Sequence, residues 1–182
     1  MTCVVGIEGK DGEVWLGSDS FMGTDNLRDL TDKPKWFTKG AMTFGWAGDV
    51  RAAQVVEHVV LFRGRRRSED PYRYLVGVVA KAIHIGLREA GANLRSQGVS
   101  DGTETSFLVV LAGRLYTLQG DYSMIRSRHG CAAIGMGADV ALGALSALKK
   151  RVPPKECLEE ALRCSALWCA QVSPPFYTSV FK

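Results

Sequence analysis

Thr2-Cys3-Val4-Val5-Gly6-Ile7 is an apolar run that opens directly behind Met1 and closes in the turn Lys10-Asp11-Gly12. Val14 to Ser18 is a second run of the same kind, so the two read as a β-hairpin, with Gly12 accepting the backbone angles of a tight turn. The head of this hairpin carries chemistry as well as structure. Once Met1 is removed, Thr2 presents a hydroxyl and a free α-amine on one residue, a nucleophile with its own base. The ordinary pKa of an α-amine, about 7.7 to 8.0, leaves a usable fraction uncharged near neutral pH.

Outward from the hairpin, strands and helices alternate in blocks. Trp36 to Thr38 and Ala41 to Ala47 pair about Lys39-Gly40. Asp49 is placed to cap a helix running to about Phe62, with Ala52, Val55, Val56, Val59 and Val60 on one face. A second helix starts at Pro71 and carries Leu75, Val78, Val79, Ala82, Ile83 and Leu87 at spacings of three and four. The polar stretch Ser96 to Thr103 ends that region. Ser106 to Leu111 and Arg114 to Leu118 form a hairpin across Ala112-Gly113, and short strands lead to Cys131 to Ile134. Ala138 to Lys149 reads as a helix, Pro153-Pro154 breaks it, and a further helix runs from about Lys155 to Gln171. Pro174-Pro175 then releases a last strand, Phe176 to Phe181. Periodicity alone gives a mixed α and β protein. The unbroken run Phe107 to Leu111 indicates strands covered on both faces.

Composition narrows the function classes. At 182 residues and 46% hydrophobic content the chain is long enough for one domain, residues 1–182, with a substantial core. No apolar stretch approaches the roughly 20 residues that cross a bilayer, and the N-terminus lacks the regions of a signal peptide, so no membrane partner and a cytoplasmic location are expected. Cysteines at 3, 131, 157, 164 and 169 are odd in number and form no Cys-x-x-Cys pair, which argues against a disulfide framework and a zinc site. They read as small buried apolar residues. The net charge of +4 is modest, and much of it is gathered in Arg63-Gly64-Arg65-Arg66-Arg67. Such a cluster could hold phosphates, but a short basic loop between helices with no accompanying motif reads as solvated surface, and nucleic acid is not an expected partner. His58, His84 and His129 show no metal-ligand spacing, and Gly135-Met136-Gly137 lacks the third glycine and following acid of a dinucleotide loop. Neither a metal nor a cofactor is expected.

Four further motifs carry a likeness. They are Gly17-Ser18-Asp19-Ser20, Asp32-Lys33-Pro34-Lys35-Trp36-Phe37, Phe44-Gly45-Trp46-Ala47-Gly48-Asp49, and Ala133-Ile134-Gly135-Met136-Gly137-Ala138-Asp139 ahead of an alanine-rich segment. With the threonine behind Met1, they resemble proteasome β-subunits and the bacterial HslV protease, and more closely the small proteasome-like chains of bacteria and phages that begin Met-Thr-Cys. The resemblance covers most of the chain. It implies the α+β, four-layer αββα sandwich of the N-terminal nucleophile hydrolases, with two antiparallel sheets face to face and helices on both outer sides.

The resemblance also implies roles. Thr2 is the nucleophile that attacks a peptide carbonyl, its α-amine relays the proton, Lys35 is the site lysine, Asp19 the site carboxylate, and Gly45 the glycine whose amide donates to the oxyanion. These roles are physically coherent. A buried ammonium near the α-amine disfavours a second positive charge and lowers the amine pKa, while a carboxylate offsets the cost of burying the lysine. One oxyanion donor is worth roughly 3 kcal/mol. Lys33 is a rival for Lys35. Lys35 is preferred because two aromatic residues and then Gly40 follow it, and Pro34 restricts Lys33 to extended geometry.

The implied function is a threonine-type peptidase acting on peptides or unfolded protein, assembled as a homo-oligomeric ring and served by an ATP-dependent unfoldase. Two departures stand against it: Met136 occupies the place where active relatives carry a serine, and no Asp or Glu follows Glu160. Ser173 could assist from that late region. The alternatives are a catalytically silent structural or binding subunit, and an amidohydrolase acting on a non-peptide amide.

Overall fold

A computed structural model describes residues 2–23, 27–92 and 103–182. Two antiparallel sheets form its centre. The first is ordered β10 (Cys131–Gly135), β1 (Cys3–Glu8), β2 (Val14–Ser18), β11 (Tyr177–Phe181). The second is ordered β5 (Trp36–Lys39), β6 (Met42–Ala47), β7 (Ser106–Leu111), β8 (Arg114–Leu118), β9 (Met124–Ile125). A small ribbon, β3 (Phe21–Gly23) with β4 (Arg28–Leu30), stands apart from both. Sequence pattern gives no sign of this ribbon, because its arms, Phe21-Met22-Gly23 and Arg28-Asp29-Leu30, are three residues long and neither alternates apolar with polar residues.

Side-chain parity along the strands builds the layers. In β1, Val4 packs between the sheets with Leu16, Leu108 and Ile134, while Cys3, Val5 and Ile7 face helices α4 (Ala138–Leu148) and α5 (Pro154–Trp168). In β7, Leu108 and Val110 enter the inter-sheet layer, while Phe107, Val109 and Leu111 pack on α1 (Val50–His58), α2 (Pro71–Tyr74) and α3 (Lys81–Glu89). Successive side chains point to opposite faces of a strand, and here both faces are covered, which is why these strands read as unbroken apolar runs. The arrangement is the expected four-layer αββα sandwich.

The helices depart from expectation at their ends. Asp49 caps α1, its carboxylate accepting the Arg51 N–H at 2.8 Å, but the helix stops at His58 and not near Phe62. Lys39 donates to the last-turn carbonyls of Val56 (2.9 Å) and Glu57 (2.7 Å), satisfying groups that a continuing helix would have used. Val60 is buried beyond the helix, whereas Val59 turns out to solvent. The Pro71 start is capped by Asp70, and the stretch from 71 to 89 is helical throughout, yet Leu75–Ala80 is a π-helical segment between α2 and α3. Helix α5 ends at Trp168, short of Gln171. The expected polar boundary at 96–103 lies, apart from Thr103, outside the described residues.

Cys3, Cys131 and Cys157 are buried free thiols as expected, but Cys164 and Cys169 are only half-buried. In the basic loop, Arg63 forms two hydrogen bonds to the Glu69 carboxylate (2.9 and 2.5 Å) and its guanidinium lies over the Tyr74 ring. Among the described residues no helix is long and apolar enough to cross a membrane.

Candidate active site

Strand order and register bring three distant residues together. Thr2 precedes β1, Asp19 follows β2, and the pairing Val4 to Ser18 lays the two strand ends side by side. The Cys3 N–H donates to Asp19 Oδ1 (2.9 Å) and the Asp19 N–H to the Cys3 carbonyl (3.1 Å), so the carboxylate is held at the head of β1 by backbone. Lys35 arrives from the other sheet, immediately ahead of β5. Its N–H donates to Ser18 Oγ (3.2 Å) and its carbonyl accepts from the Trp46 N–H (2.9 Å). Thr2 shares the parity of Val4, which faces the opposite sheet, and that is how a lysine of the second sheet reaches its hydroxyl.

The three side chains form a closed hydrogen-bonded group. Thr2 Oγ1 donates to Asp19 Oδ1 at 2.6 Å and accepts from Lys35 Nζ. Lys35 Nζ donates in addition to Asp19 Oδ1 (2.7 Å) and the Phe21 carbonyl (2.6 Å), so all three ammonium hydrogens have acceptors. Asp19 Oδ2 accepts the N–H groups of Phe21 (2.9 Å) and Ser173 (3.3 Å). Thr2 is 2%, Asp19 0% and Lys35 1% exposed. Burial, opposed by Asp19, holds the Lys35 pKa below its ordinary value. The neighbouring Cys3 thiol is pushed up to about 12 by burial, so it stays protonated at neutral pH and is no competing nucleophile.

The remaining candidates divide. Lys33 is exposed, its N–H donates to Thr31 Oγ1 (3.1 Å), and it lines the cavity beside Lys35 without a bond to Thr2 or Asp19 among the described residues. Gly45 lies inside β6, opposite Trp36 and Leu108. Because the Trp46 N–H is directed to β5 and amides alternate along a strand, the Gly45 N–H is directed to β7 and is spent in the ladder. Gly45 serves packing instead: a Cβ there would come 2.9 Å from Val4 Cγ1. Past the end of β6, Gly48 adopts φ +126° against Glu104 and Thr105, and its N–H has no hydrogen-bond partner among the described residues. The amide of Gly48 is therefore unspent, whereas that of Gly45 is not. The second glycine of Phe44-Gly45-Trp46-Ala47-Gly48 was the only sequence signal for it.

On the other side of Thr2, the Glu8 N–H donates to the Gly130 carbonyl (2.7 Å), so the even-numbered amides of β1 face β10. The Thr2 nitrogen therefore lies toward Met136, the residue after β10. Gly135, at φ +91°, is obligatory there, since a Cβ would sit 2.1 Å from the Thr2 carbonyl oxygen. The Met136 side chain is 62% exposed and offers that nitrogen no polar group. Ser173 joins the site through its backbone N–H to Asp19, a contribution that no side-chain pattern announces.

A cavity of about 590 Å³ opens beside Lys35, walled by Met22, Trp36, Trp46, Val50 and Ala53, with Glu57 at its rim. The lining is mixed, with Thr31, Lys33, Gln54 and His58 set beside those apolar groups. No cluster of three or more His, Cys, Asp or Glu able to hold a metal occurs among the described residues.

No family model matches the chain, and no curated protein matches it. Solved structures do. The BPH protein of Thiobacillus denitrificans superposes with TM-score 0.81 at 15% identity, covering 100% of this chain and 98% of its own, and its complex with epoxomicin gives 0.82 at 14%. Eukaryotic HslV from Trypanosoma brucei gives 0.70 at 17% identity, covering 100% and 99%. Anbu, an ancestral β-subunit, from Yersinia bercovieri gives 0.72 at 12%, covering 99% and 81%. The chain thus has the same proteasome-like fold as these structures.

Proposed function

We propose that this chain is a threonine-type peptidase whose nucleophile is Thr2, freed by removal of Met1. The reading is carried by one observation: the Thr2 hydroxyl lies between Lys35 Nζ and Asp19 Oδ1 in a group screened from water. In the proposed reaction Thr2 Oγ1 attacks a peptide carbonyl while its proton passes through Lys35 or the α-amine, and the oxyanion is met by the Gly48 amide. Return of that proton to the leaving amine breaks the C–N bond and leaves an ester on Thr2. Water, giving its proton to the same base, then cleaves the ester. Asp19, paired with Lys35 Nζ at 2.7 Å, compensates that residue whenever it holds the proton.

A peptide or unfolded protein is the substrate class that fits the cavity beside Lys35. Assembly of copies into a ring, and delivery of substrate by an ATP-dependent unfoldase, belong to the same proposal and rest on likeness of fold. The likeness to a BPH protein crystallised with epoxomicin supports the use of threonine-reactive electrophiles as probes. The test is intact-mass spectrometry of the Met1-free chain after treatment with a peptide β-lactone. One adduct is expected, lost in Thr2→Ala; an adduct that persists in Thr2→Ala refutes the assignment.

A second reading, a silent structural subunit, is favoured by Met136, which leaves the Thr2 nitrogen without a polar side chain. It requires that the chain isolated from its native host retain Met1 and take no adduct.

A further inference from the structure

The peptidase reading uses Asp19 and Lys35, but it leaves unexplained how the segment that closes over Asp19 Oδ2 is kept in place. That segment is the link between α5 and β11. Its Ser173 is 2% exposed, and the Ser173 N–H is one of two donors to Oδ2; the other, from Phe21, is local in sequence. Two contacts from the β3–β4 side hold Ser173 there. The Ser20 N–H donates to its carbonyl at 2.9 Å, and Arg28 Nη2 donates to its Oγ at 3.0 Å. Ser20 Oγ also donates to the Pro175 carbonyl, two residues further along the same link.

Arg28 stands out among these. It is an exposed residue on an outlying ribbon, yet its guanidinium reaches inward to a buried hydroxyl. The same ribbon and the stretch after it supply Met22 and Thr31 to the cavity beside Lys35. One face of the ribbon therefore meets the proposed substrate pocket, and the other is tied to the link that donates to the site carboxylate.

We propose that Arg28 is a positioning residue. Through Ser173 Oγ it clamps the α5–β11 link onto Asp19, and so holds the carboxylate oriented toward Thr2 and Lys35. The consequence rests on the peptidase reading, but the clamp itself does not. A guanidinium offers several donors in a fixed fork, so Arg28→Lys would restore one bond and Arg28→Met none.

The experiment compares Arg28→Met, Arg28→Lys, Ser173→Ala and the Arg28→Met/Ser173→Ala double variant, all without Met1. The first readout is adduct formation by a peptide β-lactone. Arg28→Met and Ser173→Ala should each lower the limiting labelling rate about tenfold with half-saturation unchanged. Arg28→Lys should recover part of the loss, and the double variant should be no slower than either single one, since both remove the same bond. Losses that multiply in the double variant, or an unchanged rate in Arg28→Met, overturn the role. The second readout is hydrogen exchange across residues 171–177, which needs no activity. Exchange there should rise at least tenfold in Arg28→Met and partly revert in Arg28→Lys; unchanged exchange overturns the clamp. A parent chain that takes no adduct while exchange responds as expected defeats the peptidase reading and leaves the clamp standing.

Discussion

Lys35→Met removes the one cation of the buried group and keeps most of the side-chain volume, so it isolates what that charge contributes. Asp19 would keep four donors, the Thr2 hydroxyl and the amides of Cys3, Phe21 and Ser173, but would lose its counter-charge at 2.7 Å, and the Phe21 carbonyl would lose its side-chain donor. Breaking a buried ion pair from one side costs about 3 to 5 kcal/mol. The matching change, Asp19→Asn in the Lys35→Met background, removes the stranded charge and should recover about 2 kcal/mol of that loss. Urea unfolding followed by the fluorescence of Trp36 and Trp46 measures both. The pH dependence is a second check. Burial lowers the Lys35 pKa in the folded chain, so between that value and about 10.4 the unfolded chain holds more protons and parent stability rises with pH. Cys3, pushed up to about 12 chiefly by burial, contributes the opposite slope above its unfolded value, and since burial persists in Lys35→Met most of that contribution is common to both chains. The subtracted curve should climb toward alkaline pH. A Lys35→Met loss below about 1 kcal/mol with a flat difference curve would refute the buried-pair account.

Three further outcomes are expected. Thr2→Ser should keep peptide hydrolysis within about tenfold of the parent, because the hydroxyl and the amine both survive, whereas Thr2→Ala should show none in a fluorogenic peptide assay. Gly135→Ala should cost about 3 kcal/mol or more in chemical denaturation and abolish labelling, since its Cβ meets the Thr2 carbonyl oxygen at 2.1 Å from a left-handed backbone. Ala53→Leu, which fills the cavity beside Lys35, should raise KM several-fold for substrates with a bulky side chain at the cleaved bond and leave kcat nearly unchanged; an equal fall in kcat would place the substrate elsewhere.

The layers of the fold were legible because they depend on parity and period. Val4 against Val5, and Leu108 against Val109, sort themselves to opposite faces in strands whose limits the turn residues fix. Helix ends were less legible, because tertiary groups decide them: Lys39, distant in sequence, terminates α1 by bonding its last carbonyls. The π-helical segment leaves the same apolar spacing as an α-helix and cannot be read from pattern. In the site, Thr2, Asp19 and Lys35 were found through motifs, and the structure brings those three together while leaving Lys33 outside. Gly45 illustrates the limit. A motif names a glycine but not the direction of its amide, which depends on the register of β6 with β5 and β7. Ser173 donates to Asp19 through a backbone N–H and accepts from Arg28 across the gap between β4 and the α5–β11 link, and neither bond has a residue-type signature.

No spacer separates Thr2 from the interior strand β1, whose first three residues are fully buried. The core is therefore the ruler that measures out where the hydroxyl stands. Lengthening the chain by one residue between Thr2 and Cys3 would carry the alcohol about 3.3 Å along the strand axis and onto its reverse side, out of reach of the opposing ammonium. Under the proposed function, substitutions at Cys3, Val4 and Val5 that look like ordinary repacking would act on reactivity as well, because they shift the residue that carries the hydroxyl.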